Sequence, residues 1–313
     1  MNTSKFKCIK TLKGHVENVT CLSFSSNGEC LASSSWDRTI KIWNINTGEC
    51  LRTLVGHRRN VNSVQFSPDG KCLISASRDR DIRIWDVDSG ESLQVLKGHE
   101  EDVLSVKYSS DGECAISVSF DMKMKIWNVN TGECLQTLNL KSRCAYSTLN
   151  DFDVNREFFV TEDNSVELYD VDSGACLQVF KGHSEDVTSI KFSPNRKLVA
   201  SASDDKTVKV WDLDSGECLR TFDCGEDEVE YVAWSYDGQY LVSSNFEQII
   251  MIWDINTGEC LQVLEREFIF PCSDSVCPDD EYPFFDFVEF SPDGKIIVAP
   301  LRYGTLKLWG VEE

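Results

Sequence analysis

The sequence lacks the features that would assign it to several common functional classes. Lys and Arg number 31 against 52 Asp and Glu, a formal net charge of −21, which argues against nucleic acid and anionic membrane because phosphate binding needs clustered cations. No apolar run approaches the roughly 18 residues of a membrane span, and the first residues contain no apolar core of a signal peptide. We therefore expect a soluble cytoplasmic protein, with the nucleus as the alternative.

Cysteine, by contrast, is abundant, with 14 residues. Nine of them fall into two registers that repeat at multiples of 42 residues: Cys8, Cys50, Cys134, Cys176, Cys218 and Cys260, and then Cys30, Cys72 and Cys114. Such copies of a strand residue are expected to be reduced, buried small hydrophobes. No CxxC pair is present, so neither a metal nor a cofactor is predicted. Zinc binding by Cys272, Cys277 and a neighbouring cysteine stays open as an alternative.

An aromatic residue recurs along the chain in one register. Trp43, Trp85, Trp127, Tyr169, Trp211 and Trp253 stand 42 residues apart, and Trp309 follows after 56. Seven anchors predict seven units, with an insertion at about residues 265–283 before the last. Each unit holds four short alternating strands separated by turns such as Pro68-Asp69-Gly70, which is the pattern of a propeller blade.

Two short motifs recur with the aromatic register. Gly56-His57 and Trp85-Asp86 resemble the two signatures of the WD-repeat (WD40) family, and the His precedes its aromatic by 28 residues in four units. The resemblance covers essentially the whole chain. It implies one all-β domain over residues 1–313, a seven-bladed WD40 β-propeller of four-stranded antiparallel blades. It also implies that the segment Lys7 to Leu12 completes the last blade and closes the ring.

The resemblance further implies that each of these His residues links a Ser, an Asp and the Trp in a hydrogen-bonded tetrad. The sets are His15, Ser33, Asp37 and Trp43; His57, Ser75, Asp79 and Trp85; His99, Ser117, Asp121 and Trp127; and His183, Ser201, Asp205 and Trp211. We therefore predict structural braces rather than catalytic triads, no catalytic residues and no enzymatic activity. An enzyme built from carboxylates at the channel mouth is the alternative.

Three units depart from the tetrad pattern and are predicted to open first. The fourth has Phe159 at the Ser position and Tyr169 for Trp. The sixth has Gly225-Glu226 at the Gly-His position, with Glu247 for Asp, and the seventh has Ala299 at the Ser position.

In the WD-repeat family the face that carries the Gly-His loops commonly binds peptides, through three positions per blade. Carried over, the predicted partner-binding residues are Trp36, Arg78, Asp102, Phe120, Tyr146, Glu162, Asp186, Asp204, Glu228, Glu230, Phe246, Phe284, Asp286 and Arg302. The remaining positions are Asn18, Thr20, Asn60, Asn62, Leu104, Cys144 and Thr188. Seven of these 21 are acidic and five aromatic, which suits a Lys or Arg side chain of a partner.

The predicted function is therefore a non-catalytic scaffold or adaptor, monomeric by itself, that binds a basic peptide or protein on an acidic-aromatic top face. The alternative is a constitutive structural subunit of a multiprotein complex, docked through blade sides or the bottom face.

Overall fold

The computed structural model describes residues 5–140, 157–162, 164–170, 175–245, 249–265, 287–301 and 304–311. These residues form 27 β-strands. Among them no helix is long and apolar enough to cross a membrane. All strand pairs are antiparallel, and consecutive strands within a sheet are hydrogen-bonded neighbours.

Six sheets have four strands each and are named blades A to F. Blade A contains β2 (Val19–Phe24), β3 (Cys30–Ser35), β4 (Thr39–Asn44) and β5 (Cys50–Val55). Blade B contains β6 (Val61–Phe66), β7 (Cys72–Ser77), β8 (Ile82–Asp86) and β9 (Ser92–Leu96). Blade C contains β10 (Val103–Tyr108), β11 (Cys114–Ser119), β12 (Lys123–Asn128) and β13 (Cys134–Asn139).

The second half of the chain supplies the other three blades. Blade D contains β17 (Val187–Phe192), β18 (Leu198–Ser203), β19 (Thr207–Asp212) and β20 (Cys218–Asp223). Blade E contains β21 (Val229–Trp234), β22 (Tyr240–Asn245), β23 (Ile249–Asp254) and β24 (Cys260–Glu265). Blade F contains β25 (Glu289–Phe290), β26 (Ile296–Leu301), β27 (Thr305–Val311) and β1 (Phe6–Lys13).

The prediction of seven four-stranded blades is wrong, because the described residues form six. Between blades C and D lies a three-stranded sheet of β14 (Glu157–Glu162), β15 (Ser165–Asp170) and β16 (Cys176–Lys181). The residues that the repeat aligns with the first strand of a blade, 145–150, lie outside the described residues. This unit also lacks the His, Ser and Trp that brace a blade elsewhere. The all-β propeller architecture itself is as predicted.

The turn between the first two strands of a blade follows one local design. In blade B, Ser67 Oγ donates to Asp69 Oδ1 (2.6 Å), which also accepts from the Lys71 N–H (3.1 Å). Gly70 adopts a left-handed φ of 73°, which glycine tolerates without a steric penalty. In blade D the same position holds Arg196, with a φ of 54°. A non-glycine residue in this region costs roughly 1–2 kcal/mol.

Hydrophobic clusters lie between neighbouring sheets. Between blades A and B, for example, Ile40 and Leu54 pack with Val64, Leu73 and Trp85. Trp85 is 1% exposed, and each buried Leu or Ile contributes about 1.5–3 kcal/mol. Equivalent clusters join every sheet to its neighbour, including blade F to blade A. The sheets are therefore packed side by side in a closed order.

Strand β1 completes blade F, as the sequence predicted. It pairs with β27 from Phe6 opposite Val311 to Lys13 opposite Thr305. Leu12 is 1% exposed and packs with residues of blades A and F. The first and last repeats are thus joined through one sheet.

The prediction of buried thiols is wrong for the larger cysteine register. All six of its members are exposed, namely Cys8, Cys50, Cys134, Cys176, Cys218 and Cys260. Five of them begin the outermost strand of a sheet and Cys8 lies within one, and no further strand covers that edge. Cys30, Cys72 and Cys114 are half-buried, and Cys224 is the buried one among the described cysteines.

Candidate binding face

Four blades contain the complete hydrogen-bonded tetrad. In blade B, Trp85 Nε1 donates to Ser75 Oγ (2.8 Å), which lies 2.7 Å from His57 Nε2, while His57 Nδ1 lies 3.0 Å from Asp79 Oδ2. Because the carboxylate only accepts, Nδ1 carries the proton and the hydroxyl donates to Nε2. The sets of blades A, C and D have the same connections at 2.7–2.9 Å.

The electrostatics of the tetrads favour an ionised Asp in all four blades and a neutral His in blades C and D. Burial opposes ionisation of Asp79, but hydrogen bonds and charge from His57 outweigh it and lower its pKa to about 2. Burial lowers the pKa of His99 and His183, although the neighbouring carboxylates oppose the change. The Ser hydroxyls are buried and accept an indole N–H as well. They therefore offer no accessible nucleophile.

Blades E and F lack this brace. In blade E, Trp253 Nε1 still donates to Ser243 Oγ (2.9 Å), but the thiol of Cys224 lies 3.8 Å from that hydroxyl where other blades place an imidazole. In blade F, Ala299 occupies the Ser position and Lys307 Nζ lies 5.4 Å from the centre of the Trp309 ring.

The candidate binding face lies at the tetrad end of the blades, and backbone hydrogen bonds set its geometry. In four blades the residue before the tetrad Asp donates its N–H to the carbonyl of the residue before the first strand. The pairs are Trp36 with Asn18, Arg78 with Asn60, Phe120 with Asp102, and Asp204 with Asp186, at 2.9–3.0 Å. Two predicted positions per blade are therefore adjacent.

Blades D and E bring acidic residues together, and we call Asp204, Glu228 and Glu230 the acidic cluster. One carboxylate oxygen from each lies within 4.8 Å of the others, so they could hold a cation by their oxygens. Burial raises the pKa of Asp204 to about 6, and the charges of Glu228 and Asp186 add to this effect. The carboxylates repel one another, which makes this part of the face strongly attractive to a positive group.

Blades A to C present a different surface. The Arg78 guanidinium lies 5.7 Å from the centre of the Trp36 ring, a cation–π contact within the protein. Phe120 of blade C is 45% exposed. The face is therefore divided into an Arg-aromatic side, an exposed Phe and the acidic cluster, and is not uniformly acidic.

Some predicted face positions connect neighbouring blades. Thr20 Oγ1 donates to Val61 O (2.5 Å), Asn62 Nδ2 to Val103 O (2.8 Å) and Thr188 Oγ1 to Val229 O (2.5 Å). In blades A, B and D a shift in strand register falls at these residues, and such bulges turn a side chain away from its regular direction. Leu104, at the same position in blade C, is half-buried.

Not all of the predicted face residues fall within the part of the chain that the structure describes. Tyr146, Phe246, Phe284, Asp286 and Arg302 lie outside the described residues, as do Cys144, Cys272 and Cys277. The insertion lies outside them too, apart from Glu265. Glu162 is the last residue of β14.

Antiparallel sheets packed side by side and braced by Trp-Ser-His-Asp sets define a β-propeller built from repeated blades. The family model described as "WD domain, G-beta repeat" matches residues 6–44, 48–86, 90–128, 174–212 and 216–254. These segments make up more than half of the chain, which therefore belongs to the WD40 family. WD40 propellers are protein-interaction scaffolds and are generally non-catalytic.

Individual repeats are similar to segments of much longer proteins. One segment of 37 residues is 54% identical to Periodic tryptophan protein 2 homolog of Schizosaccharomyces pombe, covering 12% of this chain and 4% of that protein. Another of 41 residues is 46% identical to the Notchless protein homolog of Arabidopsis thaliana, covering 13% and 9%. A third of 41 residues is 56% identical to the probable E3 ubiquitin ligase complex SCF subunit sconB of Emericella nidulans, covering 13% and 6%. Each likeness spans about one repeat.

Proposed function

We propose that this propeller is a non-catalytic adaptor that binds a basic segment of another protein at the acidic cluster. The observation that supports this proposal is the gathering of Asp204, Glu228 and Glu230, with oxygens within 4.8 Å. A Lys ammonium or Arg guanidinium placed among these oxygens would relieve their mutual repulsion and gain charge-assisted hydrogen bonds.

Asp204 makes this binding dependent on pH. Its pKa is raised to about 6, so it is partly protonated in mildly acidic solution and ionised at neutral pH. A bound cation stabilises the ionised form. We therefore expect affinity for a basic peptide to increase as the pH rises from about 5 to 7.

Phe120 of blade C offers a separate contact on the same face. Its side chain is 45% exposed, next to Asp102 across the turn of blade C. An exposed aromatic ring offers a contact for the aliphatic part of a Lys or Arg side chain.

The test compares affinity purification and direct binding of Lys- and Arg-rich peptides by the wild type and the double variant Asp204→Asn, Glu228→Gln. The matched control is Glu217→Gln, Glu259→Gln, which removes the same charge from exposed residues of the same two blades at their opposite end. We expect the first double variant to weaken binding at least about tenfold and the control to leave it unchanged. Equal affinities for both would contradict the proposal.

A constitutive subunit of a larger complex is a second candidate, favoured by the outermost strands. They expose one Leu each in five sheets, at Leu51, Leu93, Leu135, Leu177 and Leu219, with 41–57% of the side chain accessible. Replacing two adjacent ones, Leu51→Ser and Leu93→Ser, would release a partner bound there and leave peptide binding at the acidic cluster intact. If this double variant retains all partners of the wild type at the same stoichiometry, the candidate is excluded.

A further inference from the structure

A second candidate site lies at the end of the channel opposite the acidic cluster. Here the first strands of the blades end, and a cavity of about 520 Å³ opens between them. Phe24, Phe192, Trp234 and Phe290 line it, together with Tyr236 on the turn of blade E, which is 71% exposed. Cavities of this size hold small ligands or a few side chains of a peptide.

Cations outnumber carboxylates in the lining of this cavity. Lys107, Lys191 and Arg196 line it with one carboxylate, Glu289. Glu289 already accepts from the Tyr231 hydroxyl (2.9 Å) and lies 3.7 Å from Lys191 Nζ. The positive charge of Lys191, which is 9% exposed, is therefore paired with the carboxylate of Glu289 within the protein. Lys107 and Arg196 bring two further positive charges to this opening in a chain of net charge −21.

The turn of blade D that carries Arg196 departs from the turns of the other blades. Blades B and F have Ser-Pro-Asp-Gly there, whereas blade D has Ser193-Pro194-Asn195-Arg196. The exchange removes a carboxylate and adds a guanidinium. It also places a non-glycine residue at φ 54°, where five other blades have glycine at about 70° (Gly28, Gly70, Gly112, Gly238 and Gly294).

Arg196 therefore carries a backbone strain that the glycines at the same turn position of the other blades avoid. The Arg196 guanidinium lies 3.8 Å from the centre of the Phe192 ring. Stacking of this kind fixes the planar guanidinium at the opening of the cavity, where its N–H groups suit a carboxylate.

We propose that this opening binds an acidic segment of a partner protein, through Arg196 and Lys107, with an apolar side chain of that segment against Tyr236 and Trp234. Charge complementarity selects the occupant, since a basic segment would meet two cations here. The propeller then has two sites of opposite preference, one at each end of its channel. This site does not depend on the function proposed above, because its residues and its ligand are different.

The test measures binding of a fluorescein-labelled peptide, Glu-Glu-Phe-Glu-Glu, by fluorescence anisotropy. The informative variant is Arg196→Gly, which restores the common turn. We expect Arg196→Gly to raise or maintain the melting temperature while weakening peptide binding, and Arg196→Gly with Lys107→Gln to weaken it at least about tenfold. If Arg196 had a purely structural role, its replacement would lower the melting temperature and leave peptide binding unchanged.

Two control variants test whether losing any nearby positive charge, or relieving backbone strain elsewhere, is enough to change peptide binding. Lys197→Gln removes a neighbouring cation that does not line the cavity, and Arg38→Gly relieves another left-handed arginine, with φ 69°, at the opposite end of blade A. Both should bind the acidic peptide like the wild type. The double variant Asp204→Asn, Glu228→Gln should also bind it normally, so failure of one proposed site is distinguishable from failure of the other.

Several outcomes would overturn the proposal. Unchanged binding by the Arg196→Gly, Lys107→Gln protein would remove its basis, as would equal binding of Lys-Lys-Phe-Lys-Lys by the wild type at the same opening. Displacement of the peptide by equimolar inorganic phosphate would assign the opening to small anions. If light scattering shows self-association that Arg196→Gly abolishes, the occupant of this opening would be the acidic cluster of a second copy of the chain.

Discussion

Blades A to D and blades E and F solve the same packing problem with different bonds. All six bury the aromatic of their third strand, at 1% exposure for Trp43, Trp85, Trp127 and Trp211 and at 5% and 3% for Trp253 and Trp309. Only the first four connect it to an imidazole and a carboxylate. Burial of the indole therefore suffices to place the strand, and the tetrad adds a second constraint.

That constraint acts on the loops more than on the sheet. The tetrad His precedes the first strand and the tetrad Asp lies between the second and third, so the His–Asp pair ties together two loops of the binding face. Blade E replaces this with a weaker link, in which Asn245 Nδ2 donates to Asp227 Oδ2 (3.3 Å). The acidic cluster thus joins a braced loop of blade D to an unbraced one of blade E.

The largest expected effect concerns blade F, which depends on β1 instead of a tetrad. Deleting residues 1–12 removes the strand paired with β27 and the buried Leu12. We expect insoluble protein or loss of cooperative unfolding, measured by circular dichroism during heating. A shorter deletion of residues 1–5 is the control and should unfold like the wild type. An unchanged melting temperature for the longer deletion would contradict the role of β1.

A pair of serine variants tests the brace itself. Ser117→Ala leaves both Trp127 Nε1 and His99 Nε2 without a partner, whereas Ser243→Ala leaves Trp253 Nε1 without one and removes only a long contact with the Cys224 thiol. At about 1–3 kcal/mol for each buried unpaired group, we expect losses of about 2–6 kcal/mol for Ser117→Ala and about 1–3 kcal/mol for Ser243→Ala in urea unfolding. The exposed Ser89→Ala serves as the control. Equal losses for the first two would show that the imidazole adds nothing.

Acidification should reduce the stability that the tetrads of blades C and D provide, and so make these blades more like the unbraced ones. The pKa values of His99 and His183 are lowered from 6.5 by burial, so the unfolded chain takes up protons first as the pH falls. Stability from these residues is therefore present above about pH 6.5 and lost below it. Nuclear magnetic resonance titration should give both imidazoles pKa values below 6.5. Values above 6.5 would reverse the sign of this effect.

The smallest expected effect is at the junction of blades D and E. Because the pKa of Asp204 is raised to about 6, its ionisation above that pH disfavours the folded state. Asp204→Asn should raise the melting temperature slightly at about pH 8 and leave it unchanged near pH 4, where the native carboxyl is protonated. Asp214→Asn, on an exposed turn of the same blade, is the matched control. Destabilisation of the Asp204 variant at pH 8 would contradict the crowding of charge.

Much of the blade architecture could be predicted because the repeat carries its own register. The 42-residue spacing located every aromatic anchor, and the Gly-His pair located the four tetrads. The count of complete blades failed at the fourth unit, where the motif residues are replaced. Thiol exposure was also predicted wrongly, because a register identifies equivalent positions without showing which strand ends the sheet.

The candidate binding face was harder to predict than the fold. The repeat placed Asp204, Glu228 and Glu230 on one face, but their mutual proximity depends on how blades D and E meet. Thr20 and Asn62 were assigned to the face, whereas a bulge turns them toward the next blade. The opening at the other end was missed, although the change from Asp-Gly to Asn195-Arg196 in a repeated turn was visible in the sequence.

The exposed cysteines of the outer strands have a consequence for how the protein must be handled. Each of the six lies on the outermost strand of a separate sheet, so disulfides to other molecules can form at several points around the propeller. A single propeller is thus a multivalent crosslinker under oxidising conditions, able to form branched networks. Purification without a reductant should yield a ladder of covalent oligomers whose subunits remain folded, and a thiol-reactive dye should label the rim without entering the core.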